Sequence, residues 1–378
     1  MRSLARAAAA LALLLPHAGA NARAQEGGRP PRPAARESTR AAAVSGRAHS
    51  APAPPSGPPA KPQQSEAAEG DDHAVVRLRF AWPAAANVQA TQRRTRVRTG
   101  HEPSTTTTRF TQRLERRDGA LRISTAGTTW EGDAPYRGPP GAVDGVMRAA
   151  ETVVQVVSPE GEFQGLEGVE ALRPAMARLL EGSVPPEQVE RALGFAEAAM
   201  QAQAREMWNL AVGFWIGADL ELGERYGMRT EAEVPLAGAK AEFEQEFSVR
   251  RRVPCSARHP EERCVEVTLR SAPDPAALPA LARAVVAQLA GPDARLPEEA
   301  LRELVVENEL LLVTEPETLL PHRFVWTRSV RATISGGEDG KGEPRVLEQV
   351  DRSESDYRYD PPPGKKPARK AKRAAARG

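Results

Sequence analysis

Apolar and polar positions alternate with a period of two over much of the stretch from residue 75 to residue 125. Val76, Leu78, Phe80 and Trp82 form one face of an opening strand, with Arg77 and Arg79 on the other. Residues 88–98 (VQATQRRTRVR) carry Thr and Arg and almost nothing apolar. That composition predicts an exposed or edge strand, where arginine discourages pairing with other chains. Residues 105–117 continue the same style, Asp118-Gly119 signals a tight turn, and Leu121, Ile123 and Thr125 alternate again. Consecutive strands joined by short turns predict an antiparallel meander rather than a parallel α/β sheet.

Residues 132–145, rich in Gly and Pro, read as a loop; Val153 to Val157 reads as a strand, and Ser158-Pro159-Glu160-Gly161 as a turn. After Gly168 the period changes. Residues 169–180 read as a helix, and Pro185-Pro186 opens a longer one that reaches Ile216. Val189, Leu193, Ala196, Met200, Met207, Ala211 and Phe214 fall on one stripe of it, flanked by Trp208 and Trp215. Strands resume over 218–235, 240–253 and 264–270. A short helix is expected over 274–289, then a helical turn leading into a strand from about 304, then strands over 321–334 and 344–357. The fold class this predicts is α+β: a curved antiparallel β-sheet, or half-barrel, with inserted helices packed on its concave face. One domain over 73–358 holds it, the helical insertion covering about 169–216.

Outside that domain the composition shifts. Arg2 and Arg6, the apolar run Ala7 to Leu15 and the small residues up to Ala24 have the layout of a secretory signal peptide. The run is shorter than the about 20 residues a bilayer core requires, so no transmembrane helix is expected in the mature chain. Residues 25–72 are rich in Pro, Gly, Ala and Ser and predict a flexible linker. The formal net charge is +2. Lys365, Lys366, Arg369, Lys370, Lys372 and Arg373 concentrate positive charge in a basic tail over 359–378. Such a block is solvated or contacts a polyanion. For an exported chain that polyanion is an anionic envelope surface, and nucleic acid is not expected. The expected location is the periplasm or the outer-envelope surface.

Cys255 and Cys264 are the two cysteines, separated by a polar, turn-forming stretch between two strand patterns. They should face each other at a hairpin end and pair in an oxidising compartment, with Cα atoms about 4.4–6.8 Å apart. A metal site needs two further ligands, and in sequence only His259 is close. The six histidines show no i, i+4 pair, and H-E-x-x-H, G-x-S-x-G, S-x-x-K and P-loop motifs are absent. No catalytic residue, metal or cofactor is therefore assigned, and the chain is read as non-enzymatic.

Strands, an inserted helical pair, more strands, a short helix and final strands on an exported chain resemble the half-barrel of periplasmic lipoprotein carriers (the LolA/LolB-like group). Ser158-Pro159-Glu160-Gly161-Glu162-Phe163 and Val313 to Pro321 are similar in style to turns of that group. The resemblance implies a lipid-binding half-barrel without catalytic residues. The sequence offers Leu78, Phe80, Trp82, Met200, Met207, Trp208, Phe214 and Trp215 as walls of a cavity between sheet and helices, filled by a lipid or other amphiphile. Two other readings stay open: a structural envelope protein whose helices fill the sheet completely, and a hydrolase whose site is assembled from distant residues.

Overall fold

The computed structural model describes residues 74–132, 142–181, 185–234, 239–257, 259–278, 301–336 and 342–360. The expected signal peptide, linker and basic tail lie outside the described residues, as does most of the helix expected over 274–289. Of that helix a 3₁₀ turn, Pro275–Ala277, is described.

Thirteen strands run β1 (Val75–Arg77), β2 (Ala85–Arg98), β3 (His101–Arg117), β4 (Ala120–Gly132), β5 (Val154–Val157), β6 (Phe163–Glu167), β7 (Asp219–Glu221), β8 (Arg225–Val234), β9 (Ala239–Ser256), β10 (His259–Pro273), β11 (Leu301–Thr314), β12 (Pro321–Gly336) and β13 (Gly342–Asp360). Among the described residues the α-helices are α1 (Ala142–Ala150), α2 (Arg173–Leu180) and α3 (Pro186–Ala211). Eleven strands form one open antiparallel sheet in the order β6-β5-β4-β3-β2-β13-β12-β11-β10-β9-β8. This is the expected α+β architecture, a large curved sheet with helices on one face. The pairing of β13 with β2 joins the end of the domain to its beginning, Tyr357 opposite Ala90 and Asp351 opposite Arg96.

Period-two alternation decides the concave face. Val88, Leu114, Leu121, Val157, Phe324, Leu312, Val267 and Val249 all point inward and form one core with Val76, Leu78, Trp82, Trp208, Val212 and Trp215. Burying each large side chain contributes roughly 1.5–3 kcal/mol. α3 supplies two cores at once. Its first half places Ala192, Leu193, Ala196 and Met200 against Val146, Leu172, Met176, Leu179 and Leu180. Its C-terminal end, continued by the 3₁₀ turn Gly213–Trp215, belongs to the main core. The stripe read as one surface is thus divided between two.

Four local expectations are corrected. The opening strand ends at Arg77. Beyond it Leu78, Arg79 and Ala81 give their N–H groups to the carbonyls of Ala218, Pro316 and Thr318, so the segment is held by loops rather than by a ladder. Residues 88–98 are no edge: β2 is fifth of eleven strands, paired on both sides. The loop expected up to Gly145 gives way to α1 from Ala142, because Val146 packs in the helical core and Met147 is buried beside it. β11 starts at Leu301 rather than about 304, paired with Ile334 of β12, and residues 297–300, where the helical turn is expected, lie outside the described residues.

The turns follow their residues. Asp118 and Gly119 both take positive φ (50° and 81°), as a two-residue type I′ hairpin requires. Gly161 closes the β5–β6 turn at φ 91°, with the Ser158 hydroxyl accepting from the N–H groups of Glu160 and Glu162. A Cβ on Gly161 would lie 2.6 Å from Ile216 Cδ1 and 2.7 Å from Phe80 Cγ. Left-handed backbone costs an L-residue roughly 1–2 kcal/mol, and here overlap with packed side chains adds to it. Gly161→Ala is expected to cost about 2–3 kcal/mol in urea unfolding; a loss under about 1 kcal/mol would show that the turn relaxes freely.

Candidate functional site

Of the eight residues offered as cavity walls, seven pack in the main core: Leu78, Phe80, Trp82, Met207, Trp208, Phe214 and Trp215. Packing among them is close. Trp208 meets Trp82 edge-on at 5.2 Å between ring centroids and donates its indole N–H to the Gly161 carbonyl at 2.8 Å. Trp82 Nε1–H donates to Leu319 O at 3.2 Å, and Phe214 stands edge-on to Phe247 at 5.2 Å. These side chains pack against one another in the core rather than around the cavity at Met200 or the groove over β8 to β11.

Met200 is the exception. It lines a cavity of about 80 Å³ between the first half of α3, α1 and strands β3 to β6. Ile123, Met147, Val153, Leu166 and Leu172 share the lining, with Gln112, Gln155 and Gln203 as polar members. Ligand pockets run roughly 300–1,000 Å³, so this space holds no long acyl chain as it stands. A wider polar groove of about 760 Å³ lies over β8 to β11. Six of its charged side chains pair, Arg229 with Glu244 and Arg270 with Glu309 at 2.9 Å and Arg225 with Glu246 at 3.6 Å.

The concave face also holds a charged cluster that the sequence reading did not single out. Along β2 the inward positions run Val88, Ala90, Gln92, Arg94, Arg96, and along β13 Tyr359, Tyr357, Ser355, Ser353, Asp351. The surface grades from apolar through hydroxyl and amide to ionic. Arg328 on β12 stands opposite Asp351, and Asn308 on β11 stands opposite Arg328. From α3, one turn beyond Gln203, Glu206 interacts with Arg328. Arg96 Nε–H donates to Asp351 Oδ1 at 2.5 Å with the two side chains 24 % and 13 % exposed, and Gln349 donates to Asp351 Oδ2 at 2.6 Å. Asn308 Oδ1 is buried without a hydrogen-bond partner.

The electrostatics follow from partial burial. Desolvation, with the Arg96 charge beside it, pulls the Arg94 guanidinium down to about 10. Burial also lowers Arg328, against the opposing pull of Asp351 and Glu206. For Asp351 burial acts upward, but the charge and hydrogen bond of Arg96, the Gln349 amide and Arg94 outweigh it and hold the carboxyl below its ordinary range. Glu206 is pushed up to about 7 by burial, Arg328 only partly opposing. Such a carboxyl changes charge near neutral pH.

The sign of the resulting stability effect is fixed. Between the ordinary value of 4.5 and about 7, the folded chain keeps a proton on Glu206 that the unfolded chain has released. The stabilisation from this group is complete below pH 4.5, declines as pH rises and is lost above about 7. Glu206→Gln is expected to flatten this decline in urea midpoints measured from pH 5 to pH 8. An unchanged slope would assign it to other groups.

Cys255 and Cys264 form the expected disulfide, Cα atoms 4.9 Å apart. His322 places a ring nitrogen within 4.8 Å of their sulfur atoms and shares a 3.0 Å hydrogen bond with Glu315 through Nε2. With both sulfurs bonded to each other, no thiolate is offered to a metal there. The basic-tail residues Lys365, Lys366, Arg369, Lys370, Lys372 and Arg373 lie outside the described residues. No described helix is long and apolar enough to cross a membrane.

No family model matches the chain, and no curated protein matches its sequence. Among solved structures it is similar to lipovitellin, in a structure concerned with lipid–protein interactions, at 9 % identity and a TM-score of 0.36, covering 73 % of this chain and 25 % of lipovitellin's. The chain therefore spans about a quarter of the length of that relative. It is also similar to DynF from the dynemicin biosynthesis pathway of Micromonospora chersina, at 9 % identity and a TM-score of 0.16, covering 79 % of this chain and 92 % of the other.

Proposed function

We propose that this chain is an exported, non-enzymatic protein that binds a lipid or other amphiphile on the concave face of its sheet. One observation carries the reading: the concave face passes from apolar, beside the helices, to ionic, at Arg94, Arg96, Arg328 and Asp351, across a few residues of β2 and β13. A surface of that grading matches a molecule with an apolar tail and a polar head. The small cavity beside Met200 is where a tail enters, with α1 and α3 moving apart from β3–β6 to admit it. Export rests on the N-terminal pattern, and the disulfide fits an oxidising compartment.

The test is native mass spectrometry of the mature protein purified after secretion, followed by titration with a fluorescent fatty acid. A co-purified lipid mass, or micromolar probe binding that Met200→Trp abolishes without loss of fold, is the expected result. The solid core around Trp82, Trp208 and Trp215 favours a second reading, a structural envelope protein whose helices plug the sheet. No lipid mass and no probe binding would overturn the first reading in favour of the second.

A further inference from the structure

The ends of two neighbouring hairpins bring three metal-ligating side chains together inside the fold. Cys255 and Cys264 come from the β9–β10 end, and His322 is the second residue of β12. β10 pairs with β9 on one side and with β11 on the other, Val265 opposite Thr314, so the two hairpin ends lie side by side. All three side chains are buried, and their sulfur and nitrogen ligand atoms lie within 4.8 Å of one another. A tetrahedral zinc ion with Zn–S near 2.3 Å and Zn–N near 2.0–2.1 Å sets its ligand atoms roughly 3.5–3.8 Å apart. Once the sulfurs are no longer bonded to each other, the imidazole has to close in by roughly 1 Å at most.

The histidine is already oriented for that role. Glu315 Oε1 shares a 3.0 Å hydrogen bond with Nε2, Thr318 Oγ1 donates to Glu315 Oε2 at 2.7 Å, and the Tyr359 ring packs on the imidazole at 5.2 Å between centroids. Both oxygens of Glu315 are thus engaged, and Nδ1 is the nitrogen left to a metal. A carboxylate on the far nitrogen fixes the tautomer and orientation of a metal-ligating histidine and raises its basicity. Val253, Leu311 and Val313 surround the cysteines. A zinc dication with two thiolates and a neutral imidazole carries no net charge, so these apolar neighbours impose no unbalanced buried charge.

We propose that Cys255, Cys264 and His322 bind one zinc ion when the Cys255–Cys264 bridge is reduced, with water in the fourth position and Glu315 holding the imidazole. Bridge and metal are then alternative closures of the same hairpin end. A dithiol reductant passes two electrons and two protons to the two sulfurs and leaves as its own disulfide. Zinc replaces the two thiol protons, which go to solvent. A disulfide oxidant reverses the change: two electrons pass from the thiolates to its S–S bond, its sulfurs depart as thiolates, the Cys255–Cys264 bond re-forms and zinc is released. This site stands whether or not a lipid binds.

The experiment starts from the mature chain, reduced with a phosphine, freed of metal with a chelator and titrated with cobalt(II) and zinc(II) under argon. One equivalent of cobalt is expected to bring up a thiolate-to-cobalt charge-transfer band and the visible bands of a tetrahedral site. One equivalent of zinc should abolish them, and the oxidised chain should show neither. His322→Gln is expected to weaken zinc binding at least about tenfold and Glu315→Gln about 10- to 100-fold. His259→Gln, between the two cysteines in sequence, should leave it unchanged. If His322→Gln does not fold, zinc-edge X-ray absorption of the reduced His259→Gln protein decides: two sulfurs at about 2.3 Å and an imidazole nitrogen at about 2.0–2.1 Å are expected. Reduced protein that brings up no such bands, binding indifferent to His322→Gln, or a zinc shell of sulfur and oxygen without imidazole would each overturn the site.

Discussion

Trp208→Ala is expected to lower the unfolding free energy by about 3–5 kcal/mol, the range for removing a large buried aromatic. The indole is 5 % exposed and stands at the junction of three parts of the chain. It packs edge-on against Trp82 and Phe80, at 5.2 and 6.1 Å between centroids, and so ties α3 to the irregular segment after β1. Its N–H holds Gly161 O at 2.8 Å, tying the same helix to the β5–β6 turn. Truncation opens a hole and strands that carbonyl, and an unsatisfied buried polar group costs a further 1–3 kcal/mol or so. Trp208→Phe separates the two terms, because it keeps most of the volume and loses the donor. Urea unfolding of the three proteins reads both. Should the alanine variant lose less than about 1.5 kcal/mol, the core near Trp208 would be loosely filled and the case for a second, larger pocket there would reopen.

Replacing both Cys255 and Cys264 by alanine is expected to cost about 2–3 kcal/mol, since the bridge closes a short loop in the unfolded chain. Little of that is recovered by packing. Cys264 is 0 % and Cys255 7 % exposed, and they share a small cluster with Val313, Val253 and Leu311 that alanine fills less well. The β9–β10 register shifts between His259 and Arg263, so the ladder at this end is interrupted and the covalent link takes its place. Hydrogen exchange should accelerate most at residues 251–266 and least in β2 and β13. Equal urea midpoints for the oxidised wild type and the double variant would mean that the remaining ladder alone sets the hairpin.

The antiparallel order, the two hairpin turns at Asp118-Gly119 and Ser158–Gly161, the long helix and the disulfide were legible in the sequence because each depends on neighbours in the chain. The pairing of β13 with β2 depends on none, as it joins strands some 250 residues apart with no turn signal between them. That pairing is what turns residues 88–98 from an apparent edge into a central strand. A finer reading of parity was available: Val88 and Ala90 are apolar at even positions, and Arg94 and Arg96 continue the same parity onto the same face. Arginine was read as a sign of exposure, which holds for a filled barrel or a flat sandwich but not for a wide half-barrel whose concave surface is only partly covered. Glu206 gave no signal at all. Its neighbours on the helix are Gln203, Arg205, Met207 and Asn209, and only its position opposite Arg328 distinguishes it from a solvated glutamate.

Because α3 is anchored in two separate cores, Trp208 divides it into a short and a long arm. The short arm beyond Trp208 is locked by Val212 and Trp215, each 1 % exposed, so it cannot swing. The long arm carries Met200 over the small cavity and passes Glu206 on the way. With the short arm fixed, the space beside Met200 can widen only by a swing of the N-terminal half of the helix, and that half must first part from Leu172, Met176 and Leu179.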